Sequence, residues 1–260
     1  MTLTADLSST HEPPARHQHP AKRWVLVAGL LQLVALGLAY SRLLGHPGRY
    51  LIVDHYDGAK SYFSLATFLR QPLSQGLLEH GQNYPYGEYI FFTDIAPLVS
   101  VPLHALVQVV PTLAPYGLYL FDCFFLGGLL LSTLLLADMM RRLGLPAWLL
   151  LLLSVTLPWV GPQTFRLSVG HLALSYTPAV LGPLWLLQGL YAAWRAGQHT
   201  GRWWLGLGAG VVAAAWIHFY FLGVLGTWLG FFLLLWVGRE AWAGRAWRPW
   251  RAGAWHCWRR

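Results

Sequence analysis

The sequence predicts an all-α fold: a polytopic transmembrane helix bundle with an external loop that carries a surface helix. Hydrophobic residues make up 56% of the chain and charged residues only 11%, against about 25% charged in an ordinary soluble domain. Several apolar runs reach the roughly 20 residues needed to cross a bilayer core about 30 Å thick. Fifteen Trp and twelve Tyr suit broad aromatic belts at the membrane surfaces. The formal net charge of +8 does not point to nucleic acid, because the basic residues sit at the ends of the apolar runs, where they set orientation. Two cysteines, Cys123 and Cys257, supply no disulfide framework.

Taken in order, residues 1–23 are polar, with His11, His17 and His19 among prolines, and read as a disordered cytoplasmic tail. Histidines spaced in this way are usually solvated rather than metal-bound. An apolar run over 24–44 follows Lys22 and Arg23 and lacks a small-residue cleavage signal, so it reads as a retained anchor. Residues 45–94 form a polar loop. Within it Ala59, Tyr62, Phe63, Ala66 and Leu69 recur at steps of three and four, predicting a helix over 58–70 lying on the membrane with one apolar stripe. The stretch 95–111 is short for a span and carries Pro97, Pro102, His104 and Pro111. Further spans are expected at 116–137, 147–160, 174–194, 203–217 and 220–238. The last two form one apolar run broken near His218, the alternative being a single long tilted helix. The transmembrane domain thus covers 24–238, and 239–260 form a basic cytoplasmic tail.

Orientation follows from counting Lys and Arg. If 95–111 dips into the membrane without crossing and the N-terminus is cytoplasmic, thirteen of the 18 basic residues face the cytoplasm. Arg42, Arg49, Lys60, Arg70 and Arg166 lie outside. If 95–111 crosses, only four remain inside. The positive-inside rule favours the first arrangement, a multi-pass protein of the cell's inner (plasma) membrane. Non-helical backbone at membrane depth needs protein or a cavity around it, so 95–111 is expected to belong to a packed site.

In this arrangement the unusual polar residues share the external face. Asp54, Asp57, Glu79, Glu88 and Asp94 fall in one loop, Arg166, His171 and His218 at external span ends, and Asp122 just inside the outer leaflet. Ionisable groups at membrane depth default to a functional role, although a partner on a neighbouring helix accounts for Asp122 and His218 equally well. Asp54 and Asp57, three apart, share a face if helical. Such a pair suits general acid–base work, and its oxygens can hold Mg²⁺ or Mn²⁺, though nothing in the sequence requires a metal. Arg166 is the basic residue of its connection and a natural phosphate partner, or else a headgroup anchor. His171 suits a ligand, a base or a cap. The tyrosines of Asn83-Tyr84-Pro85-Tyr86-Gly87-Glu88 can stack on a sugar or settle among headgroups.

The order of retained first span, acidic external loop, surface helix and multi-span core resembles the integral-membrane glycosyltransferases of the GT-C fold class. These include polyprenyl-phosphate-sugar-dependent enzymes and oligosaccharyltransferase catalytic subunits. In that class an acidic motif opens the first external loop, often Asp-Glu-Ala before an aromatic. Asp57-Gly58-Ala59 with Tyr62 is similar and departs at Gly58, where the second acid is missing and Asp54 stands nearby. The stretches from Asp57 to Phe63, Asn83 to Glu88, and Thr93-Asp94 also resemble bacterial membrane proteins related to the class. The second external connection of the oligosaccharyltransferases carries an acidic metal ligand; here His171 stands instead, so metal binding does not carry over.

The resemblance covers roughly 24–238 and implies a lipid-linked sugar donor, with Arg166 and Lys60 on the donor phosphate and Asp57 or Asp54 as base. Proteins of that class are usually longer, and the chain is therefore expected to be a truncated gene product that is inactive alone if part of its acceptor site is missing. The rival expectations are a non-catalytic membrane scaffold and a transporter or flippase component, the latter disfavoured because no internal repeat stands out. The sequence holds no Gly-rich phosphate loop before Lys-Ser/Thr, no Gly-x-Ser-x-Gly and no His-Glu-x-x-His.

Overall fold

The computed structural model describes residues 22–83 and 85–242. The expectations for most of the N-terminal tail, for Tyr84 and for the basic C-terminal tail lie outside the described residues. The described residues are 76% helical with almost no sheet. Among them three helical stretches are long and apolar enough to cross a membrane, Pro111–Arg142, Ala147–Ser168 and Tyr220–Trp242. It is a helical protein suited to a membrane.

Among the described residues ten α-helices follow one another: α1 Arg23–Ala39, α2 Ser41–Gly45, α3 Tyr56–Arg70, α4 Pro97–Val109, α5 Gly117–Arg142, α6 Ala147–Val160, α7 Pro162–Ser168, α8 Pro178–Arg195, α9 Gly201–Ile217 and α10 Tyr220–Trp242. Proline occupies the first position of α4, α7 and α8, where its missing N–H has no helical acceptor to lose. Gly144 and Gly197 follow α5 and α8 with φ of 77° and 66°, the left-handed conformation that lets a helix stop and reverse. The expected break near His218 is present. α9 ends at Ile217, His218 is extended (φ −158°, ψ 132°) and α10 starts at Tyr220, so the apolar run forms two separate helices.

α5 is the central element, packing against α1, α3, α4, α6 and α8. Its 26 residues at about 1.5 Å each reach about 39 Å. Contacts fix the direction of the helices around it. Trp24 and Val25 of α1 pack beside Met140, so α1 starts where α5 ends. Tyr176 lies against Gly128, while Trp185 Nε1 donates to Asp138 at 2.8 Å, so α8 runs parallel to α5. Gly189 receives the ring of Trp203, and Gly206 and Gly210 face Leu186, so α9 returns antiparallel. Trp194 and Trp236 meet with centroids 4.7 Å apart, so α10 runs back again. The ends of α1, α6 and α9 therefore share one end of the bundle with the starts of α5, α8 and α10.

α3 and α4 pack together across that end. With 13 residues α4 spans about 20 Å, short of the ~30 Å core. Its polar residues cap the end of α3: the His104 imidazole pairs with the Gln71 carbonyl at 2.8 Å, and Gln108 Nε2 donates to the carbonyls of Leu69 and Gln71 at 3.2 Å each. The stripe expected on α3 is displaced. Tyr62 and Leu69 are buried, but so are Ser61, Ser64, Leu65 and Phe68, while Phe63 is exposed. α3 packs on α4 and α5 rather than resting one apolar edge on lipid, and its buried serines are satisfied locally. The Ser61 hydroxyl donates to the Asp57 carbonyl at 2.9 Å, and Ser64 Oγ accepts from Gln82 Nε2 at 2.6 Å.

Candidate functional site

Asp57 stands in the first turn of α3, where the helix dipole favours a carboxylate. The chain arrives extended through His55 (φ −133°, ψ 175°) and turns sharply at Tyr56, whose φ of 50° is left-handed. A bulky residue in that region is strained, and such strain gathers at functional sites. The residue after Asp57 has no room for a side chain. A Cβ on Gly58 would fall 2.5 Å from Val53 Cγ1 and 3.3 Å from the Cα of Gly170.

Gly170 comes from the connection after α7. Its φ of 92° closes α7 and turns the chain back, so that the His171 N–H donates to the Arg166 carbonyl at 2.9 Å. A Cβ there would lie 2.0 Å from the Gly58 nitrogen. The two glycine backbones therefore touch, and the contact sets their neighbours side by side: His171 Nε2 lies 3.4 Å from Asp57 Oδ2. Both side chains keep about half their surface, 43% for His171 and 56% for Asp57, so a ligand can reach the pair.

Asp94 and His218 complete the cluster. The Ala173 N–H donates to Asp94 Oδ1 at 2.9 Å, which ties the long loop to the turn after His171, while Asp94 Oδ2 is buried without a partner. Burial pushes the Asp94 carboxyl up to about 6, against the pull of the Ala173 N–H and of His171. Phe91 packs edge-on against Trp216, and Phe92 against Phe219, which brings the loop to the α9–α10 corner. His218 is buried there, with the Tyr220 N–H donating to its Nδ1 at 3.3 Å. Burial, with the nearby positive charges of His171 and Arg166, lowers it to about 4, so it is neutral at pH 7.

The other predicted residues divide. Arg166, on α7, is exposed and close enough to His218 to affect its charge. Lys60, one turn after Asp57, is exposed. Asp54 precedes α3 and so does not share a helix face with Asp57. It pairs with His55 at 3.0 Å in solvent, and that hydrogen bond holds it below the usual carboxylate range. Glu88, in a two-residue strand paired with Leu78–Glu79, accepts from Asn83 Nδ2 at 3.0 Å. Asp122 is fully buried, accepting from the Tyr62 hydroxyl and from the Ile52 N–H at 3.2 Å; it fastens α3 to α5. Among the described residues no group of three or more His, Cys, Asp or Glu is placed to hold a metal ion. No step below uses a metal.

Sequence reading misses two features. Gly58 is visible only as a missing acid, and its partner Gly170 is remote in sequence. Glu79 is one loop acid among five, yet it is fully buried, accepting from the Thr67 hydroxyl and the Gly81 N–H. It straps the loop to α3.

Comparison with known proteins finds one family. The model of a domain of unknown function, DUF6311, matches residues 22–256. No curated protein and no solved structure matches.

Proposed function

The chain belongs to the DUF6311 family, and for it we propose sugar transfer from a polyprenyl-phosphate donor at the external face of the membrane, in a GT-C-like fold. The observation that carries the reading is the Asp57–His171 pair, 3.4 Å apart and open to solvent, with Arg166 at the other end of the turn that places His171.

Asp57 is the general base. It takes the proton of the acceptor hydroxyl as that oxygen bonds to the anomeric carbon and the bond from that carbon to the phosphate oxygen breaks. One base suffices for an inverting transfer, so the missing acid at position 58 is no obstacle. His171 orients the Asp57 carboxylate and, when protonated, balances its charge. The polyprenyl phosphate leaves with the bonding electrons, and Arg166 and Lys60 stabilise its charge. The lipid tail lies against the apolar helices. Lys22, Arg23, Arg141, Arg142, Arg195, Arg202 and Arg239 all lie at the opposite end of the bundle, which supports a cytoplasmic placement of that end.

The test is release of labelled sugar from a panel of polyprenyl-phosphate sugars by the purified protein in bilayers. Asp57→Asn should reduce turnover by about 10²-fold or more. Turnover unchanged in Asp57→Asn, or absent from the wild type across the panel, contradicts the reading.

A further inference from the structure

Four Arg–aromatic stacks are present among the described residues, and all lie at the end of the bundle opposite Asp57: Arg23 on Trp24, Arg142 on Trp185, Arg195 on Tyr191 and Arg202 on Trp203. They are not equivalent in charge. Arg141 and Arg142 share the Asp138 carboxylate, at 2.6 and 2.7 Å, so half of their charge is balanced.

Arg195 and Arg239 differ. The Arg195 guanidinium lies over the Tyr191 ring, 6.0 Å from its centroid, and Arg239 Nη1 donates to the Tyr191 hydroxyl at 3.3 Å. Two cations thus converge on one tyrosine, from the last residue of α8 and the last turns of α10. Among the described residues no carboxylate lies within salt-bridge distance of either. Both guanidiniums are exposed, so an anion can reach them, and a guanidinium fork matches a phosphate oxygen pair.

The surroundings indicate where that phosphate comes from. Tyr191, Trp194, Phe232 and Trp236 form one ring cluster, with centroids 4.7 to 6.2 Å apart. The exposed Trp242 follows nearly two turns beyond Trp236, 95% accessible. An aromatic cluster at the ends of apolar helices sits at headgroup depth, where the phosphates are those of lipids.

We propose that Arg195 and Arg239, converging on Tyr191, form a binding site for the headgroup phosphate of an anionic phospholipid at the end of the bundle opposite Asp57. The site is remote from the Asp57–His171 pair and does not depend on the transferase reading. A lipid there would pin α8 to α10.

The test uses the full-length protein in nanodiscs of phosphatidylcholine alone and of phosphatidylcholine mixed with phosphatidylglycerol. Thermal midpoint and phospholipid retained in native mass spectrometry are both read. In the wild type phosphatidylglycerol should raise the midpoint and be retained over phosphatidylcholine. Arg195→Gln with Arg239→Gln should remove the midpoint rise and weaken retention about tenfold, while Arg49→Gln at the other end leaves both unchanged. If the double variant does not fold, the two single variants are read in the same way. Equal retention of the two lipids, retention unaffected by the glutamines, or stabilisation by inorganic phosphate equal to that by the lipid would each overturn the proposal.

Discussion

Gly58 and Gly170 exclude side chains for different reasons, and substitution separates them. At Gly170 a Cβ meets backbone, 2.0 Å from the Gly58 nitrogen, at a φ of 92°; neither partner can swing away. Gly170→Ala should lose on the order of 3 kcal/mol and separate Asp57 from His171, read as a fall in thermal midpoint with loss of turnover. Gly58→Glu restores the acid that the GT-C resemblance leads one to expect, yet its Cβ collides with Val53. It should lower stability without raising turnover; a stable, faster variant would show that the position lacks an acid for some other reason.

Asp94 and His218 make a second residue-scale case, in pH. The Asp94 carboxyl is raised to about 6, so the folded state holds its proton longer than the unfolded chain and stability falls as pH rises from about 4 to about 6. His218 is lowered to about 4, so the unfolded chain takes up the proton first and stability rises as pH rises from about 4 to about 6.5. The two effects oppose one another. Asp94→Asn should leave a midpoint that climbs with pH over this window, and His218→Gln one that declines, with neither slope as large in the wild type. Parallel profiles in all three proteins would contradict the assignment.

At the scale of elements, α3 is held to α5 through Asp122, which serves the Tyr62 hydroxyl and the Ile52 N–H. Asp122→Ala leaves both donors buried and unpaired, a loss of about 3 kcal/mol. Tyr62→Phe should lose less, and the double variant should lose less than the sum, as a thermal-midpoint cycle would show; additive losses would mean that the bond carries no coupling. This reading of Asp122 as a fastener was already one of the alternatives open in the sequence, because a lone acid in a span needs a partner. The helices themselves were legible from their apolar runs, and the break at His218 from its polarity. The rotation of α3 was not: Phe63 and Ala59 complete an apolar stripe as well as Leu65 and Phe68 do, and only packing on α4 and α5 selects between them. Nor was the separation of Asp54 from Asp57, because three residues share a face only if the helix starts before Asp54, and it starts at Tyr56.

At the scale of the molecule, the contact between Asp57 and His171 bears on the proline-bearing segment 95–111. The two residues share one end of the bundle, whereas a chain that crossed the membrane at 95–111 would place them on opposite faces. α4 instead closes over the end of α3. What the sequence could not supply is the pairing of remote turns, Gly58 with Gly170 and Asp94 with the Ala173 N–H, because no periodicity or motif links them. The basic residues at the far end, including the Arg195–Arg239 pair, support the orientation proposed for the bundle.

The most direct measurement is labelling of single cysteines from outside intact cells, in a cysteine-free background, at positions 57, 142, 166 and 171. The external site predicts labelling at 57, 166 and 171 and none at 142. Labelling at 142 with protection at the other three would place Asp57, His171 and Arg166 in the cytoplasm, away from an external lipid-linked donor, and would contradict the proposed transfer.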